Sequence, residues 1–113
     1  MLEYHDQLNR ILKDYSMKLS SRLEHGTDFR VFYKNGGDTI NVLTLVSRDD
    51  DPVLLKEIYD TEAKILRRYV LHEKNSDIKG INFRVIPKYN SSLADIVPSG
   101  FKRFNAKFEI TSI

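Results

Sequence analysis

The sequence predicts an α+β fold: a single small domain, in the order α-β-β-α-β-β, with two helices packed on a mainly antiparallel four-stranded sheet. In two long segments the apolar residues recur at steps of three and four, which is typical of amphipathic helices. In shorter segments apolar and polar residues alternate, which is typical of strands. Asn35-Gly36 joins two of the alternating segments, and this dipeptide is the strongest short signal of a hairpin. A length of 113 residues suits one domain.

The first predicted helix runs from Leu2 to Glu24 and ends before Gly26. At 1.5 Å per residue it would be about 35 Å long, close to the diameter of a domain of this size. Part of it could therefore overhang the sheet and meet a second subunit. Its apolar positions are Tyr4, Leu8, Ile11, Leu12, Tyr15, Leu19 and Leu23.

The next two segments, residues 28–34 and 39–47, form the predicted hairpin. The second strand is apolar on both faces, so we expect it to be central and covered on both sides. Two helices on one face would leave Phe32, Leu43 and Leu45 open. We therefore expect either that the helices divide between the faces or that another chain covers these residues.

The second predicted helix begins at Pro52, a residue suited to the first helical position, with an aspartate before it as the N-cap. Its apolar residues form an arc of roughly 180°, wider than one packing surface needs. One side of the arc carries Leu54, Ile58, Ile65 and Tyr69, and the adjoining side carries Leu55, Tyr59, Leu66 and Val70.

Glu62 lies in the middle of this arc and breaks its apolar pattern. A buried, unpaired carboxylate is costly, so three interpretations stay open. In the first, one side of the arc packs on the sheet, the other packs on the first helix, and Glu62 emerges between them to pair with Arg84 or a lysine. In the second, Leu55, Tyr59, Glu62, Leu66 and Val70 form a recognition surface. In the third, Glu62 is a catalytic or ligand-binding carboxylate.

The C-terminal part contains two more predicted strands. Ile81, Phe83 and Val85 begin the third strand, which Pro87 ends. Residues 90–100 read as a loop, with one helical turn at 92–96. The fourth strand alternates cleanly over residues 103–110.

Composition and motifs narrow the function classes. The chain has no cysteine, which excludes thiol chemistry and disulfides, and no apolar run approaches the roughly 18 residues of a membrane span, so we expect a cytoplasmic protein. The three histidines have no second ligand at metal-binding spacing, and the aspartates at 49–51 are better explained as helix capping than as a Mg²⁺ site with Asp38. We expect no catalytic motif, metal or cofactor.

Residues 58–113 hold ten basic and six acidic side chains, which leaves a nucleic-acid partner open. Basic residues interleaved with aromatics could neutralise phosphates and stack on bases. This alternative surface comprises Arg84, Lys88, Tyr89, Phe101, Lys102, Arg103 and Lys107.

The surplus of apolar surface on the second helix and the central strand, together with the long first helix, favours a different partner. We expect a small non-catalytic protein-interaction or regulatory protein that binds protein, either itself as a homodimer or a larger partner. Nucleic-acid binding is the alternative, and no membrane partner is expected.

Overall fold

The computed structural model describes residues 2–23, 29–46, 52–71, 78–86 and 97–104. The predicted element order is present. Gly26, the aspartates at 49–51, the turn at 92–96 and the strand beyond residue 104 lie outside the described residues. The elements are α1 (Leu2–Arg22), β1 (Phe29–Asn35), β2 (Thr39–Val46), α2 (Pro52–Leu66) with a π-helical continuation (Arg67–Leu71), β3 (Gly80–Ile86) and β4 (Lys102–Phe104).

The sheet is mixed and has the order β3-β2-β1-β4. β1 pairs antiparallel with β2 and with β4, whereas β2 and β3 are parallel. The parallel pair follows from the crossover through α2, since parallel neighbours need a long connection. The predicted hairpin is confirmed: the amide of Gly36 donates to the carbonyl of Thr39 at 2.8 Å, and Gly37 adopts a φ of 88°, which glycine tolerates without strain.

Both helices contribute to one core on one face of the sheet. From α1 this core takes Leu8, Ile11, Leu12, Tyr15 and Leu19, and from α2 Leu54, Ile58 and Ile65. The strands add the side chains that alternation places on the same face, including Val31, Ile40, Val42, Val46 and Ile81. The side of the α2 arc that was predicted to pack on the sheet is therefore buried.

The opposite face of the sheet, which we call the outer face, has a smaller apolar cluster of Phe32, Leu43 and Leu45, all buried. The helices do not divide between the faces, which was one of our two expectations, and the other, cover by another chain, stays a prediction. The chain itself contributes cover, because Val97 and Phe101 pack on this cluster. The sequence predicted residues 90–100, which include Val97, as a loop without a packing role, and it placed Phe101 on the nucleic-acid surface instead.

The helices run antiparallel beside each other. Near one end Arg22 of α1 forms an ion pair with Glu57 of α2 at 3.6 Å, and near the other Asp14 meets Arg68 at 3.2 Å. These contacts place α1 on the Glu57 side of α2. Among the described helices, none has the length and apolar character needed to cross a bilayer.

Candidate functional site

Glu62 is buried in the core, with only 9% of its surface exposed. Its Oε2 atom has no hydrogen-bond partner within the described part of the chain. The predicted pairing with Arg84 is wrong, because the Cα partner of Arg84 is Leu43 of the outer face, and Arg84 is exposed there. Glu62 therefore lies on the face of the sheet that the helices cover, whereas Arg84 lies on the outer face.

Tyr15 of α1 lies between the helices and the sheet and is fully buried. Its hydroxyl forms a 2.7 Å hydrogen bond with Oγ1 of Thr44 on β2, and its ring packs against Phe83 of β3 with centroids 5.1 Å apart. Thr44 is itself fully buried, so each hydroxyl supplies the partner that the other would otherwise lack. The pair fixes α1 over the centre of the sheet.

Burial perturbs the titration of both Glu62 and Tyr15. It raises the pKa of Glu62 to about 7, although the nearby Tyr15 hydroxyl acts in the opposite direction. Burial, and then the negative charge of Glu62, raise the pKa of Tyr15 far above its ordinary value. Glu62 is therefore a carboxyl group that holds its proton up to near-neutral pH, beside a tyrosine that stays neutral.

This arrangement can hold a proton in the core. Glu62 is 9% exposed, whereas a general acid or base must reach its substrate within hydrogen-bonding distance. We therefore interpret the Glu62 and Tyr15 pair as a determinant of stability. Two features of the sequence could have identified this pair. Glu62 lies within the apolar face of the second helix, and Tyr15, which carries a polar hydroxyl, lies within the apolar face of the first.

A second polar cluster lies at the surface between α1 and the π-helical turn. Oδ2 of Asp14 accepts hydrogen bonds from the Tyr69 hydroxyl at 2.8 Å and from Arg68 at 3.2 Å, and its Oδ1 accepts one from Lys18 at 2.6 Å. Burial raises the pKa of Asp14, but these hydrogen bonds and the charges of Lys18 and Arg68 outweigh it, so the pKa lies below its usual range. Burial, and then donation to Asp14, raise the pKa of Tyr69 to about 12.

The second side of the α2 arc is only partly covered, because Leu66 and Val70 pack against the core cluster whereas Tyr59 is exposed. Glu57 and Leu66 are nine positions apart, which places them about 180° apart on a helix, and α1 lies on the Glu57 side. We call Leu55, Tyr59, Leu66 and Val70 the outer flank of α2. Tyr59 is 54% exposed, and the other three side chains are half-buried. Glu62, predicted as a member of the same surface, is buried instead.

The described residues of the nucleic-acid alternative do not form one continuous surface, although Arg84 and Arg103 share the outer face. Arg84 is on β3 and Arg103 is on β4, the two end strands of the described sheet, and Phe101 packs on the outer-face cluster. Lys102 lies on the other side of β4 from Arg103. Lys88, Tyr89 and Lys107 lie outside the described residues.

Within the described ranges, no group of three or more His, Asp or Glu side chains is placed to hold a metal ion. The chain matches no family model, no curated protein and no solved structure.

Proposed function

We propose that this chain is a small, non-catalytic cytoplasmic protein that acts by binding protein, and that its first partner is a second copy of itself. The observation that carries the proposal is the outer flank of α2. It is an apolar row on the side of α2 away from Glu57 and its contact with α1. Leu66 and Val70 pack partly on the core there, and Tyr59 projects into solvent. Exposed aromatic side chains framed by half-buried aliphatic ones are typical anchors of protein interfaces.

The spacing of the outer flank suits two antiparallel copies of the helix. Positions 55 and 70 are equally far from the midpoint between Glu62 and Ala63, and so are positions 59 and 66. A two-fold axis through that midpoint would set Tyr59 opposite Leu66, both in the α-helical part of α2, and would bring Leu55 towards the end that carries Val70 in the π-helical turn. Ala63 is small and exposed, so the two helices could approach closely at the axis.

Charge at Tyr59 tests the proposal. In a two-fold contact, Tyr59→Arg would bring a positive charge against an apolar residue twice, so we expect the dissociation constant of the dimer to rise by about 30-fold or more, as at interface hot spots. The matched control is Met17→Arg, since Met17 is 59% exposed and lies on α1, away from the outer flank. Sedimentation velocity of the wild type and both variants measures the effect.

The proposal requires that Met17→Arg dimerise as the wild type does while Tyr59→Arg dissociates. A Tyr59→Arg protein that keeps its helical circular dichroism and the wild-type mass at every concentration would contradict it. Because Tyr59 is largely exposed, loss of the fold is not expected from this change. Tyr59→Ser provides a milder second variant with the same expected direction.

A further inference from the structure

A single row of paired residues crosses all four strands of the sheet on its outer face. Arg84 of β3 is the Cα partner of Leu43, Leu43 that of Phe32, and Phe32 that of Arg103 on β4. An arginine therefore lies at each end of an apolar row. With strands about 4.8 Å apart, the Cα atoms of the two arginines are separated by roughly 14 Å.

The outer face gains more positive charge from β1. Arg30 and Lys34 lie two residues before and two residues after Phe32, so alternation places them on the same face. Lys34, Arg84 and Arg103 are exposed, and Arg30 is half-buried. The side chain of Lys34 passes beside Gly100, at the edge of the segment that covers the apolar cluster.

The charged residues of the four described strands are all basic. The four strands contain five basic residues and no acidic one. Of the acidic residues whose side chains are described, Asp14, Glu57, Asp60 and Glu62 are on the helices, and Asp38 is in the hairpin turn. Among the side chains that the structure describes, negative charge therefore lies in the helix layer and the turn, and the charged residues of the outer face are basic.

We infer that the outer face binds the phosphate backbone of a nucleic acid. Phosphate groups recur at regular intervals along a strand, and separated basic side chains on one face can contact several of them. Base stacking is not part of the inference, because Phe32 is buried and Phe101 packs on its cluster. The surface lies on the side of the sheet opposite α2, so this inference is independent of the proposed dimer.

Fluorescence anisotropy tests the inference with a labelled 20-nucleotide single-stranded DNA and the matching duplex, from 50 to 300 mM salt. For the wild type we expect binding that weakens steeply with salt. The double variant Arg84→Gln, Arg103→Gln should bind at least tenfold more weakly at 50 mM salt, and its salt slope should fall by about one for each phosphate contact that is lost. The matched control, Lys56→Gln, Lys64→Gln, removes two exposed charges from α2 and should bind as the wild type does.

Three results would overturn the inference. They are no wild-type binding at 50 mM salt, equal weakening by the α2 control, and equal displacement of DNA by polyglutamate at the same charge concentration. Preference for the single strand or for the duplex would identify the form of nucleic acid, and either preference supports phosphate recognition. Because both arginines are exposed, the variants should fold, and the single variants Arg84→Gln and Arg103→Gln should each show part of the loss.

Discussion

The hydroxyl of Tyr69 donates a 2.8 Å hydrogen bond to Oδ2 of Asp14 and so joins the end of the second helix to the middle of the first. Tyr69 lies in the π-helical residues Arg67–Leu71, where the wider turn changes the direction of each side chain relative to an α-helix. Arg68, in the same turn, contacts Asp14 and also lies 5.4 Å from the ring centroid of Tyr69. The irregular turn thus brings two donors to one carboxylate.

Removing the Tyr69 hydroxyl should destabilise the fold. We expect Tyr69→Phe to lower the free energy of unfolding by about 1–2 kcal/mol, because the hydrogen bond is made to an ionised acceptor that is partly buried. Urea denaturation measures the loss. Ser20→Ala, which removes an exposed hydroxyl from α1, is the control and should change stability by less than about 0.5 kcal/mol. Equal effects of the two substitutions would contradict the account.

Glu62 should make the stability of the protein depend on pH. The unfolded chain releases this proton near the ordinary pKa of 4.5, whereas the folded protein keeps it to about 7. The stabilising contribution is therefore complete below pH 4.5 and is lost as the pH rises to about 7. At about 1.4 kcal/mol per pKa unit, the loss is at most about 3.5 kcal/mol.

Glu62→Gln should remove that dependence, since the amide has no proton to lose in this range. We expect the variant to gain stability relative to the wild type between pH 5 and pH 8 in a series of urea denaturations. The control is Glu57→Gln, which changes a partly exposed carboxylate paired with Arg22 and should keep the wild-type slope. A wild-type stability that rises with pH over this window, with Glu62→Gln parallel to it, would refute the assignment.

The buried hydrogen bond between Tyr15 and Thr44 should show as a coupling energy. Tyr15→Phe leaves the Thr44 hydroxyl buried without its partner, at a cost of about 1–2 kcal/mol. In the double variant Tyr15→Phe, Thr44→Val both polar groups are gone, so the total loss should be smaller than the sum of the single losses by about 1 kcal/mol. Strictly additive losses in a double-mutant cycle would show that the bond contributes nothing.

Phe101 should be needed to cover the outer face. It is the aromatic member of the segment that packs on Phe32, Leu43 and Leu45, and it is itself half-buried. We expect Phe101→Ala to cost about 1–3 kcal/mol and to increase the binding of a hydrophobic dye. A suitable control is Val53→Ala, because Val53 is highly exposed. Unchanged dye binding and stability in Phe101→Ala would mean that other residues supply the cover.

Much of the architecture follows from local pattern. The hairpin at Asn35-Gly36, the start of α2 at Pro52 and the burial of Leu54, Ile58 and Ile65 all follow from turn chemistry and helical periodicity. Strand order does not, because the parallel pairing of β2 with β3 is determined by how α2 crosses the sheet. The π-helical turn could not be predicted from the sequence either, because Arg67–Leu71 continues the α-helical spacing of apolar residues without a break.

The candidate sites were harder to predict because they depend on which residues become neighbours. Glu62 could be recognised from its position in an apolar arc, but its neighbour, Tyr15, is 47 positions earlier and read as an ordinary core residue. Similarly, the sequence placed Arg84 and Arg103 on one candidate surface because both are basic. Only the pairing of β1 with its neighbouring strands shows that Arg30 lies on the same face. Periodicity predicts which face a side chain occupies, and tertiary pairing decides what lies beside it.

If the outer flank of α2 joins two copies of the chain, the wild type has the solution mass of a dimer. Light scattering at several protein concentrations, in 50 mM and 500 mM salt, should give twice the 13.2 kDa mass of one chain. The dimer should persist in high salt, because the contact is apolar and salt does not weaken it. A mass of one chain at every concentration and in both salts would contradict the claim.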